Sequence, residues 1–188
     1  MAGPISNVIG FDDGPFAPEH RGDVLLVGVV CARTRCDGIV SGKIRRDGRN
    51  STDVMIEVLR RSQFAAHVRA VLLQGIAVGG FNVVDIHRLH RELDRPVLVV
   101  ARRKPRLPAM KDYLVQNVPG WPRKWQLIQA AGPMDPLRGV YVQRVGLTLN
   151  QAGHLLAATT AHGRIPEPLR LAHLIAGGIV TGNSRGRA

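Results

Sequence analysis

IGFDDGPF, residues 9–16, closes the first apolar run of the chain, and the reading of its two adjacent aspartates decides the fold. Leu, Ile and Val fill a strand without electrostatic cost, whereas burying an unpaired carboxylate costs several kcal/mol even after relaxation. Asp12 and Asp13 therefore stand at the open end of a sheet or meet a cation. A plain turn is the competing reading, because Asp, Gly and Pro of Asp12-Asp13-Gly14-Pro15 are turn formers; a turn and a site can coexist. Acidic or imidazole groups recur in similar places: Asp47 in RRDG, Asp85 in GGFNVVD, and Glu167 with His173 in IPEPLRLAH. Carboxylates dispersed along a chain but set at element ends are how a fold assembles a Mg²⁺ site.

Outward from that stretch, residues 5–11 read as a strand leading into Asp12. DVLLVGVVCAR, 23–33, is a second strand, apolar enough to be buried on both faces. DGIVSGKIRR, 37–46, alternates and follows a Cys36-Asp37-Gly38 turn, which makes a hairpin. A helix follows, with Asn50 and Asp53 spaced as a capping box and an apolar stripe of Val54, Val58, Phe64 and Val68. AVLLQG, 70–75, and RPVLVVARR, 95–103, are buried strands on either side of GGFNVVDIHRLHREL, a glycine turn entering a helix. Residues 104–138 are proline-rich and partly helical. GVYVQRVGL, 139–147, alternates as a strand; Thr148 and Gln151 cap the next helix, and a last helix starts at Pro166 with Glu167 in its first turn.

Three meandering strands followed by a parallel, right-handed strand–helix–strand unit give a ribonuclease-H-like α/β fold: a mixed five-stranded sheet flanked by helices. An ordinary doubly wound sheet is the rival layout. At 188 residues the chain is one domain over 1–181, with a flexible basic tail over 182–188.

Composition narrows the partners. Lys and Arg number 26 against 14 acidic residues, a formal charge of +12, and the pI is near 11.3. Such a surface favours DNA or RNA, with affinity that falls steeply as salt rises; a merely solvated basic surface is the bland alternative. No apolar stretch is long enough for a membrane span, and the N-terminal residues lack the pattern of a signal peptide, so a cytoplasmic protein with no membrane partner is expected. Cys31 and Cys36 make neither a zinc set nor a useful loop. The oligomeric state is not legible.

With these segments placed, the chain resembles the archaeal family first labelled domain of unknown function 99, linked to endonuclease V and called endonuclease dU. Three blocks carry the likeness: IGFDDGPF, GIAVGGFNVVDI at 75–86, and GRIPEPLRLAHLIA at 163–176. The resemblance implies Mg²⁺-dependent cleavage, with Mn²⁺ as the alternative ion, of a phosphodiester near a deaminated base of the deoxyuridine or inosine type. It makes Asp12, Asp47 and His173 the catalytic residues, with Asp12, Asp47 and Gln74 around the metal. Arg102, beside Arg103 and Lys104, occupies the place of a residue that contacts the nucleic-acid backbone.

Two departures bear on activity. The family's Asp-Gly at the fourth strand's end is Gln74-Gly75 here, and its DG-x-D-A-T becomes Asp47-Gly48-Arg49-Asn50-Ser51-Thr52. Both remove negative charge, so a catalytically inactive nucleic-acid-binding protein of the same fold stands as the alternative function. The Pro-Tyr-Ile-Pro wedge of endonuclease V is absent as well. Gly79 and Gly80 leave backbone N–H groups to meet a phosphate, or serve tight sheet-to-helix packing. Trp121 and Trp125 stack on bases or pack in the core.

Overall fold

In the computed structural model, which describes residues 5–184, the first apolar run is strand β1, Asn7–Asp13. Its Ile9 and Phe11 enter one core and Val8 the opposite one, so Gly10 and Asp12 share the face of Val8 by the two-residue period of a strand. Strands β2, Asp23–Ala32, and β3, Arg35–Arg45, pair antiparallel in a meander. Their turn falls at Arg33-Thr34, with Arg33 at φ 58°, rather than at Cys36-Asp37-Gly38. Gly38 is a strand residue covered by the Phe64 ring, where a Cβ would come within 2.0 Å of Cζ.

Helix α1, Ser51–Arg60, follows. Its expected capping box does not form. Asn50 turns its Oδ1 to the Arg45 and Asn82 N–H groups, and Asn82, far along the chain, supplies the oxygen that caps Ser51 N. The buried stripe is Met55, Ile56 and Leu59, and the helix ends before Phe64 and Val68.

Strand β4, Ala70–Gln74, runs parallel to β1. Next comes a two-stranded ribbon, β5, Ala77–Val78, and β6, Asn82–Val83. Gly79-Gly80 is the turn of that ribbon, not the entry to a helix. Helix α2, Ile86–Leu93, begins later, and the Asp85 carboxylate accepts from Arg88 N as its N-cap. Strand β7, Val97–Ala101, pairs parallel with β4. Helices α3, Leu107–Asn117, and α4, Trp121–Ala130, form a hairpin over the ribbon, around Val83, Leu114, Val118 and Ile128. Trp121 and Trp125 pack against this small core.

Strands β8, Asp135–Leu137, and β9, Val140–Val145, make a hairpin whose turn, Arg138-Gly139, has positive φ at both residues, as type I′ requires. Because β9 pairs antiparallel with β7, the sheet has seven strands in the order β3-β2-β1-β4-β7-β9-β8, and not five. The five expected strands are present; the hairpin at the far edge extends them. Helix α5, Leu149–Thr159, begins with the Thr148–Gln151 capping box anticipated from sequence.

Helix α6, Glu167–Thr181, ends at Gly182, and the last part of the basic tail, 185–188, lies outside the described residues. α1 and α2 cover one face of the sheet, α5 and α6 the other. The approach of α6 is set by Gly10: a Cβ there would sit 2.8 Å from the Pro168 carbonyl carbon. The helix can therefore lie directly on β1, which brings its next turn over Asp12. No helix among the described residues is long and apolar enough to cross a membrane.

Candidate functional site

The sheet places its polar ends by register. β1 and β4 pair up to Phe11 and Leu73, so one step further Asp12 and Gln74 end neighbouring strands on the α6 face. Asp12, Asp13, Gln74 and His173 line one cavity of about 760 Å³. His173 Nδ1 lies 2.9 Å from Asp12 Oδ2. With Asp12 ionised, the carboxylate can only accept, so Nδ1 carries the proton and Nε2 is left as the acceptor.

The two aspartates are electrostatically unlike ordinary surface acids. Burial raises the pKa of Asp12, against the stabilising Asp13 N–H and the His173 ring. Asp13 is pushed up to about 6 by burial and then by the charge of Asp12, with the nearby Gly79 backbone pulling the other way. Gln74 Oε1 is buried and has no hydrogen-bond partner. An acceptor with no donor, beside two crowded carboxylates, is the arrangement that a positive ion relieves.

These donors fit the metal that the family likeness implies. Two carboxylates and an amide carbonyl are the hard oxygen ligands that Mg²⁺ and Mn²⁺ prefer. Among the described residues no three His, Cys, Asp or Glu side chains are grouped to hold an ion; Gln74 would be the third oxygen donor, and it is neutral.

Asp47 does not line that cavity. It sits at φ 49° beyond β3, its Oδ1 accepts from Phe81 N at 2.8 Å and its Oδ2 meets Arg46 Nε at 3.2 Å. Its own N–H donates to Gly79 O. A Cβ on Gly80 would come within 2.5 Å of Asp47 Oδ1, so the glycine turn and the aspartate fit together. Lys124 of α4 completes the knot. Only 5% exposed, it donates to the carbonyls of Asp47, Gly48 and Phe81, which uses all three of its N–H bonds. Burial lowers its pKa. Sequence reasoning missed it, yet Trp121, Lys124, Trp125 and Ile128 keep helical spacing on one stripe, where a lysine needs acceptors.

Gly79 and Gly80, expected to meet a phosphate, form the turn of the ribbon, and the Gly79 carbonyl accepts from Asp47 N at 2.8 Å. Arg102, Arg103 and Lys104 follow β7 and line depressions beside β9, with Arg164 as a neighbour. Glu167 is buried against Arg170, whose guanidinium holds its carboxyl below the usual range.

Comparison with known proteins agrees with this architecture. A family model described as endonuclease dU matches residues 4–180. A UPF0215 protein of Deinococcus radiodurans is 53% identical over 183 residues, which is 97% of this chain and 93% of that protein. The crystal structure of a protein of unknown function from Archaeoglobus fulgidus superposes with a TM-score of 0.87 at 34% identity, covering 94% of this chain and 99% of that one. Endonuclease V of Ciona intestinalis, solved with an inosine-containing DNA, shares the fold at a TM-score of 0.56 and 16% identity, covering 89% and 82% of the two chains.

Proposed function

The chain belongs to the endonuclease dU family, and from that premise we propose that it is a metal-dependent endonuclease acting on nucleic acid that carries deaminated bases. The observation that carries the reading is Gln74 Oε1, a buried acceptor with no partner, in the cavity that Asp12 and Asp13 also line. Asp12, Asp13 and Gln74 hold Mg²⁺ or Mn²⁺. When bound, such an ion polarises a phosphoryl oxygen and offsets the charge that develops on it.

The chain's own residues do the rest. Asp12 fixes the His173 ring through Nδ1, so that Nε2 can take or return a proton at the cavity edge. Asp47 and Lys124 keep the glycine turn rigid and take no part in the chemistry. The basic residues after β7 bind the strand through its phosphates.

Gln74 also favours a second reading, in which the same fold binds nucleic acid without cutting it, because a neutral amide attracts a cation less than a carboxylate does. The test is cleavage of labelled oligonucleotides bearing deoxyuridine, inosine or no lesion, with Mg²⁺ or Mn²⁺, beside Asp12→Asn. Lesion-dependent nicking that disappears in the variant supports the enzyme. Binding without nicking under every condition supports the second reading.

A further inference from the structure

Two strands across the sheet from Asp12, the end of β7, the β8–β9 hairpin and the turn before α6 enclose a separate cavity of about 590 Å³. Its wall carries Arg102, Arg103, His162 and Arg164, and an adjoining depression shares the three arginines and adds Lys104. None of its lining residues belongs to the acidic cavity. Helix α6 divides the two, with His173 facing one and Leu174 the other.

Three observations mark this as more than a solvated basic surface. Among the described residues, Arg102, Arg103, Lys104 and Arg164 take part in no ion pair or hydrogen bond, although most arginines on the sheet's other flank are paired. The acid of this region, Glu167, is committed to Arg170. Gly139 makes room for one of the arginines: a Cβ there would stand 3.1 Å from Arg164 Cδ. Cations gathered in a concavity without internal counter-charge repel one another, and a polyanion removes that cost. Guanidinium forks match phosphate oxygens in particular.

We infer that this cavity is a second phosphate site, which takes a phosphodiester of the bound strand other than the one facing Asp12, with Arg103 and Arg164 as its contacts. The inference rests on the nucleic-acid reading above. Neighbouring strands are about 4.8 Å apart, so the end of β7 stands roughly 10 Å from that of β1, a span of a nucleotide or two. Occupancy of this site fixes the register of the strand, and hence which bond reaches the acidic cavity.

The test uses the full chain, its Arg103→Gln/Arg164→Gln variant and its Arg103→Lys/Arg164→Lys variant. Both positions are exposed, so melting curves should match the parent. Pyrophosphate titrated by calorimetry should bind the parent about ten- to hundredfold more tightly than the Gln variant, with the Lys variant between them. Single-stranded oligonucleotides carrying one neutral methylphosphonate at successive positions should then lose affinity for the parent at one position besides the scissile one. In the Gln variant that position should carry no further penalty, and the slope of log affinity against log salt should fall by about 0.7. Equal pyrophosphate binding by parent and Gln variant overturns the site, and so does a penalty spread evenly over all positions. Arginine-dependent pyrophosphate binding with no strand binding keeps the anion site and removes the nucleic-acid reading instead.

Discussion

Asp12 and Asp47 both stand at strand ends of one sheet, and their surroundings differ in kind. Around Asp47 every group is matched: a backbone N–H and a guanidinium on its carboxylate, a glycine shaped to its oxygen, and a buried ammonium on the carbonyls beside it. Around Asp12 the matching is partial: His173 meets one of its oxygens, but a second carboxylate stands next door, the pKa is raised, and a buried amide oxygen in the same cavity meets no donor. A saturated acid holds a structure together. A crowded acid with a raised pKa, lining a cavity, is where a ligand is expected.

The contrast can be broken in four places. Asp12→Asn should lower metal-dependent cleavage by about a thousandfold, since several kcal/mol of charge stabilisation goes with the ion; its melting temperature should hold or rise because a buried repulsion is relieved. Single-turnover rates beside a melting curve check both. Lys124→Met removes the donor that three carbonyls share and should cost about 3 kcal/mol of stability, read by urea unfolding.

Gln74→Asp restores a charge at the cavity and should raise Mn²⁺ affinity by about tenfold, read by calorimetry; an unchanged or weakened affinity removes Gln74 from the ligand set. Glu167 is the mildest case, a buried acid that is already paired. Its folded pKa lies below its ordinary value through Arg170, so its contribution is present above the unfolded pKa and is lost as pH falls through the folded one. Glu167→Gln should therefore cost about 1 kcal/mol at neutral pH, and the difference should close in acid.

The sheet was largely legible because its evidence is local: alternation and apolar runs placed the five strands from β3 to β7 in the sheet order, and Thr148-x-x-Gln151 placed a helix start. Strand β9 was read at 139–147 but not counted in the sheet, and β8 escaped because Asp135–Leu137 is three residues long and contains Pro136, with little to mark it as a strand. The capping of α1 escaped for another reason. Asn50 has the right spacing to Asp53, but Asn82 lies far away in sequence and wins the competition for the helix end.

At the site, Asp12, Gln74 and His173 were legible from the block resemblance and are brought to one cavity. Spacing could not tell that Asp47 turns its carboxylate to Phe81, or that Lys124 reaches the carbonyls of Asp47, Gly48 and Phe81. Those contacts depend on the ribbon turn and on α4, which meet only in the folded chain.

The most direct test of the account is Mn²⁺ binding, followed by calorimetry, to the parent, Asp12→Asn and Asp47→Asn proteins. Binding should be lost in Asp12→Asn and kept in Asp47→Asn, whose penalty appears in stability alone. Binding kept in Asp12→Asn and lost in a folded Asp47→Asn protein would contradict it.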